Sequence, residues 1–317
     1  MLEKSKLGCH IGHIYSGALG YADDIVLLAP QVSTLQKMLC ICCNFAEQNS
    51  MIFNKVKSKV MIFSKEKCCS VPEMFLNSNE DGEIAKNKLE VVDNFVHLGH
   101  SLKHNLEDDE DIQKCVFKFN RKSNCVISDF KKLYTDQRFQ MLVSYCTSFY
   151  GSQLWCKKLS CLNNLYVSYR FAVKKTLRIP RRSHNIFIPM LTGMLPIEQQ
   201  IHKRVLAFFY KCIHSQNNCV RTICRMIFTS PVSYYGNYVR ELSYKYRVNY
   251  ATFFQPNQIS RIKSALYLYN QTERDQRNDS ELYANMIIEL IEMRENYSDY
   301  LLDYNEITFV IDYLCTF

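Results

Sequence analysis

Apolar positions along the chain repeat with a strand-like period near the start and a helical one over most of the remainder. Residues 8 to 29 predict a β-hairpin, with "CHIGHIYS" and "IVLLA" as the strand-like pieces and "GALGYADD" between them. Pro30 closes the second strand, and Ser33 is placed to cap a helix. From Thr34 to Gln48, Leu35, Met38, Leu39, Cys42, Phe45 and Ala46 recur at three- and four-residue spacing, which predicts one apolar helical face. "MIFNKVKSKVMIFSK" predicts two short strands, Met51–Phe53 and Val60–Phe63, around a basic turn. "KLEVVDNFVHLGHSL" alternates and predicts another strand with a tight turn at Gly99. The acidic "NLEDDED" suits a helix N-terminus, where negative charge meets the positive end of the helix dipole. From Ile112 to about Ile227 the period is helical, broken by the prolines and glycine of "RIPRRSHNIFIPMLTGMLP". The expected organisation is α+β: a small mixed unit at residues 1–105, a basic helical region at 106–230, and a helical, Tyr-rich region at 231–317.

Composition adds a partner to this outline. With 47% apolar and 22% charged residues, the 317-residue chain has an ordinary globular balance. Only 9 Gly and 7 Pro argue against a turn-rich all-β fold. The net charge of +8 is unevenly spread, because residues 273 to 317 hold 11 acidic and 3 basic side chains, a net of −8. The body therefore holds 36 basic and 20 acidic residues, a net of +16, and a basic body points to an anionic partner such as nucleic acid. Fifteen cysteines show no paired zinc spacing, although Cys212, His214, Cys219 and Cys224 offer a poorly spaced set. The odd count and the charged start "LEKSK" favour reduced thiols in an intracellular protein, nuclear or cytoplasmic, with no disulfide-linked partner. The longest uncharged stretch, Phe139 to Cys156, carries too many polar residues to span a bilayer and predicts an internal helix, so no membrane partner is expected.

The chemistry begins at Asp23–Asp24. Neighbouring strand residues point to opposite faces, so two adjacent carboxylates can chelate together only at a bend. "YADD" supplies that bend, while Ile25 to Leu28 are expected to anchor the second strand in a core. Hard oxygen donors of this kind suit Mg²⁺ or Mn²⁺. By spacing alone a plain acidic turn is the favoured account, since Asp is a preferred turn residue.

The order of segments behind "YADD" carries more. "GCHIG…GALGYADDIVLLAPQVSTLQKMLCICCNFAEQNSMIFNKVKSKVMIFS" resembles the third and fourth polymerase motifs of reverse transcriptases from non-LTR (LINE-type) retrotransposons. "NFVHLGHSL" resembles that family's primer-grip turn, with His97 where the family pattern has Tyr, and "LVSYCTSFYGSQLW" resembles a thumb segment. The resemblance covers about residues 8 to 230 and implies a partial palm followed by a helical thumb. It implies Asp23 as a metal ligand, with Asp24 as its partner, and Mg²⁺ or Mn²⁺ as the ion. Tyr21 and Ala22 would lie near the primer terminus, and Lys57 near the triphosphate of an incoming dNTP as a charge clamp or proton donor. Phe95, His97, Leu98 and Gly99 would hold the primer strand. Lys174, Lys175, Arg178, Arg181 and Arg182, set among aromatics in "YRFAVKKTLRIPRRSHN", would meet the phosphates of an RNA template and DNA primer.

The family also requires a metal-binding aspartate well upstream, and only twenty residues precede Tyr21 here. Two-metal phosphoryl transfer needs carboxylates from separate segments. The expectation is therefore a truncated reverse transcriptase, catalytically incomplete on its own, with a non-catalytic nucleic-acid-binding protein as the alternative.

Overall fold

The computed structural model describes residues 1–64, 73–76, 88–155 and 160–275. Among the described residues the fold is mixed α+β and mainly helical, with four small two-stranded sheets in the first part of the chain. Two compact units form, one from Met1–Asp111 with Cys212–Ser230, the other from Ile112–Lys211 with Pro231–Phe317. The chain from Pro231 groups with Ile112–Lys211.

In the first unit a short helix α1 (Leu2–Ser5) leads into two hairpins. β1 (His10–Ile11) and β2 (Ile14–Tyr15) form a minimal one, and β3 (Ala18–Tyr21) pairs antiparallel with β4 (Asp24–Leu27). "ALGY" is thus a strand rather than a connection, because its backbone pairs residue for residue with "DIVL". The base of this hairpin is tied down through Cys9, which donates to Leu28 O at 2.9 Å while its own carbonyl accepts from Ser16 N at 2.9 Å. Gly8 makes that closure possible. At φ 102°, a Cβ there would sit 2.9 Å from Met38 Cε and 3.0 Å from both Gly17 Cα and Leu28 O.

Helix α2 (Val32–Gln48) begins two residues earlier than the apolar period indicated, with Gln31 at its N-cap and no side-chain cap bond from Ser33. Cys43 of its apolar face packs with Val60, Met74, Leu76 and Leu89, and Leu35 and Leu39 flank that cluster. Gln36 reaches across to Phe75 and bonds both its carbonyl (2.9 Å) and its N–H (3.0 Å). Of the two strands expected around the basic turn, only β5 (Lys59–Val60) forms, and it pairs in parallel with β6 (Glu90–Val91). Met51–Phe53 is irregular, with Ile52 96% exposed, so those apolar residues find no sheet to join. β7 (Asn94–His97) and β8 (His100–Lys103) close a third antiparallel hairpin.

The second unit is helical. α3 (Asp109–Asp129) buries Ile112, Phe119 and Val126, seven residues apart and so on one face. That face meets Leu142, Phe149 and Trp155, and Leu165 and Tyr169 of α5 (Ser160–Thr176), in the main core. Phe119, Phe149 and Tyr169 sit in mutual ring contact, with centroids 5.8, 6.1 and 6.3 Å apart. The uncharged stretch expected as one internal helix is divided. α4 (Thr135–Met141) passes into a π-helical turn at Leu142–Cys146, and the chain then turns at Phe149 (φ 40°) and Gly151 (φ 86°). Arg204 satisfies the carbonyls freed there, donating to Thr147 O at 2.8 Å and to Ser148 O, with its guanidinium over the Phe149 ring. α6 (Phe187–Thr192), α7 (Ile197–Ile213), α9 (Tyr234–Lys245), α10 (Tyr250–Phe254) and α11 (Ile259–Asp275) follow, whereas α8 (Asn218–Thr229) belongs to the first unit. Among the described residues no helix is long and apolar enough to cross a membrane.

Candidate functional site

The β3–β4 hairpin turns through Ala22 and Asp23, with Tyr21 opposite Asp24. Ala22 adopts φ 53°, a left-handed conformation in which a non-glycine residue is strained, and strain of this kind gathers at functional turns. Asp23 and Asp24 are both exposed at the tip, and neither carboxylate has a partner among the described residues. The flanking apolar residues are exposed as well: Leu19 is 50%, Tyr21 65% and Ile25 52% accessible. The core expected to hold Ile25 to Leu28 does not form, since Val26, Leu27 and Leu28 are only half-buried. Among the described residues the β3–β4 ribbon gains no third strand to cover its tip.

Oxygen donors at the tip suit a divalent ion in kind but not in number. Among the described residues no group of three His, Cys, Asp or Glu comes together. Two adjacent carboxylates fall short of the several that a two-metal phosphoryl-transfer centre requires. Lys57 lies in an exposed turn whose geometry is set by Asn54, which accepts the Lys57 N–H at 3.1 Å through Oδ1 and the Ser58 N–H at 2.9 Å through its carbonyl. Lys57 makes no ion pair with Asp23 or Asp24 among the described residues. The thiols of Cys212 and Cys224 hydrogen-bond each other, which lowers the pKa of Cys212 and raises that of Cys224, and among the described residues they gather no third ligand.

The β7–β8 hairpin realises the expected tight turn. Leu98 (φ 48°) and Gly99 (φ 79°) form a two-residue loop with positive φ at both positions, the geometry whose twist matches the flanking strands. Phe95 and His97 share the half-buried face of β7, and Leu98 and Gly99 are exposed at the tip. His100, opposite His97, anchors the hairpin: its Nδ1 lies 3.0 Å from Asp111 Oδ2, while Asp111 Oδ1 accepts the Ser101 N–H at 3.0 Å. The hydrogen bond to Asp111 outweighs desolvation and raises the His100 imidazole above its ordinary value.

The basic segment in the second unit separates into two roles. Lys175, Arg178, Arg181 and Arg182 are exposed, as a phosphate-contacting set requires. Lys174 is not among them. Only 6% of it is accessible, and its ammonium donates inward to the carbonyls of Ser183 and Arg181. Burial and the nearby Arg170 guanidinium lower its pKa from the usual lysine value. Lys174 thus holds the loop that displays the arginines instead of meeting a phosphate itself. Buried Arg138 performs a similar task at the end of α5, donating to Thr176 O at 2.6 Å, where the helix dipole is negative. Arg181 lies over the Phe171 ring at 5.3 Å, which orders its guanidinium at the surface.

A second basic surface lies on α3. Lys114, Phe117, Lys118 and Arg121 are exposed at spacings of three, one and three, and Phe117 is 69% accessible between the cations. Lys122 lies 4.5 Å over the ring of Tyr145, itself 57% exposed. Phe117 is not among the residues that the sequence pattern singles out. The signal was available in the face opposite Ile112, Phe119 and Val126. No protein-family model, curated protein or solved structure matches the chain.

Proposed function

We propose that this chain carries the palm hairpin and thumb of a reverse transcriptase of the non-LTR (LINE) type, and that its own residues serve to hold primer and template. The observation that supports the reading is the tip of the β3–β4 hairpin: two unpartnered, exposed carboxylates beside a strained Ala22. A helix and a second two-residue-turn hairpin follow it in the order that the sequence resemblance implies. Lys175, Arg178, Arg181, Arg182 and the α3 stripe supply cations for phosphates, and exposed Phe117 and Tyr145 supply rings on which bases stack. Asp23 and Asp24 are the positions that Mg²⁺ or Mn²⁺ would share with carboxylates from another segment, and Lys57 is the cation available to a dNTP.

The alternative, a nucleic-acid-binding protein without catalysis, is favoured by one observation, the two-carboxylate donor set at the tip. Both readings meet in one experiment. Binding of a fluorescent RNA–DNA primer–template is measured by anisotropy alongside primer extension with Mg²⁺ or Mn²⁺. Salt-sensitive binding that survives Asp23→Ala, with no extension, is the expected result for the isolated chain. Robust synthesis abolished by Asp23→Ala would show that this chain completes its own metal centre. Absence of binding at low salt would sink both readings.

A further inference from the structure

The end of α7 and the start of α8 are joined by a short loop held by its own hydrogen bonds. Ser215 N–H donates to Cys212 O at 3.2 Å and closes the last turn of α7. Asn217 caps α8 through its Oδ1, which accepts from Cys219 N–H at 2.8 Å and from Val220 N–H at 3.2 Å. Arg221 reaches back from α8 and donates to Ser215 O at 3.0 Å, so its face of the helix is turned toward the end of α7. Cys224 follows Arg221 by three residues and shares that face. Its thiol meets the thiol of Cys212, and the two hydrogen-bond each other. The contact lies wholly within the Cys212–Ser230 segment of the first unit.

Both cysteines are free, and each is half-buried, so neither is sealed in the core. In the pair, Cys224 donates and Cys212 accepts, which favours the thiolate at Cys212 and keeps the proton on Cys224. Buried Cys146 stands in contrast, since burial pushes its thiol up to about 11. A thiolate beside a protonated thiol is the arrangement of an attacking and a resolving cysteine. We propose that Cys212 and Cys224 form a reversible disulfide, driven by hydrogen peroxide, that fastens α8 to the last turn of α7. The Cys212 thiolate attacks one peroxide oxygen, the O–O bond breaks, and the departing hydroxide takes a proton from solvent to become water. Cys212 is then a sulfenic acid. The Cys224 sulfur attacks the Cys212 sulfur, the S–O bond breaks, and hydroxide leaves as water with the Cys224 proton. Two thiols are oxidised and one peroxide is reduced to two waters. The pair stands apart from the hairpin carboxylates and the basic surfaces, and does not depend on nucleic-acid binding.

The test exposes the reduced full chain to a small molar excess of hydrogen peroxide, alkylates the remaining thiols and maps the peptides by mass spectrometry. The expected product is a linkage between Cys212 and Cys224, with both thiols lost together and both restored by a dithiol reductant. Cys224→Ser should abolish the linkage and leave Cys212 as a sulfenic acid that dimedone traps. Cys219→Ser, which removes the cysteine lying between them in the chain, should leave the linkage intact. A second measurement needs no substitution. Phenylarsine oxide, which binds paired thiols, should protect Cys212 and Cys224 together from alkylation in the reduced, unaltered chain. Alkylation of both thiols after peroxide treatment would overturn the proposal, as would linkage of Cys212 to Cys219 in equal yield. Failure of the arsenical to protect the pair would count against the thiol contact itself.

Discussion

Two cationic contacts show how single residues set the candidate surfaces. His100 is held by Asp111, with Asp108 Oδ1 3.9 Å from its other ring nitrogen, and the raised imidazole pKa ties the hairpin's stability to pH. The protonated form is the one favoured on folding. Its contribution is fully present below the unfolded value of about 6.5 and is lost as pH rises through the higher folded value. Thermal unfolding followed across that window should show stability falling with rising pH. Asp111→Asn should flatten this dependence and destabilise the chain by about 1–3 kcal/mol, the range for a charge-assisted hydrogen bond. Lys174 gives the second case. Lys174→Met removes the donor from two loop carbonyls and should lower stability by about 1–3 kcal/mol. Amide exchange at Ser183 should accelerate, and affinity for single strands should fall regardless of their sequence. Sequence spacing marked Lys174 and Lys175 as equivalent cations, whereas the helix turns one inward and the other outward. The difference lies in rotation about α5, which adjacency in the sequence does not reveal.

At the level of elements, local pattern was legible wherever a periodic apolar face or an obligatory turn was present. The period of α2 and the turn at Gly99 were readable because each follows from near-neighbour physics. The β3 strand and the missing Met51–Phe53 strand were not, since strand formation depends on a partner that can lie anywhere in the chain. Leu98 offers a test of turn strain. A leucine at positive φ costs about 1–2 kcal/mol, and Asn before Gly is favoured in this turn type. Leu98→Asn should therefore raise the unfolding midpoint, by about 1 kcal/mol in stability. Gly8→Ala should do the reverse and cost about 2 kcal/mol, because both its φ and its contacts with Gly17 and Leu28 backbone exclude a Cβ.

For the whole molecule, charge distribution was the most transferable part of the sequence reading. A body with a net charge of +16 carries exposed cations on two surfaces of its helical unit. The carboxylates of the hairpin were equally visible, but the number of ligands they can assemble depends on tertiary placement and needed the fold. If Lys175, Arg178, Arg181 and Arg182 each meet a phosphate, log affinity for a single strand should fall against log salt with a slope of roughly −3. The four alanine replacements together should bring that slope toward zero if the α3 stripe contributes nothing. A residual slope would measure the stripe's share. The inward turn of Lys174 also leaves a chemical signature. A brief exposure of the folded chain to an amine-acylating reagent should label Lys175 and spare the lysine beside it, and unfolding should make the two react alike. That single pair of neighbours thus serves as an internal reporter of whether the arginine-bearing loop is assembled.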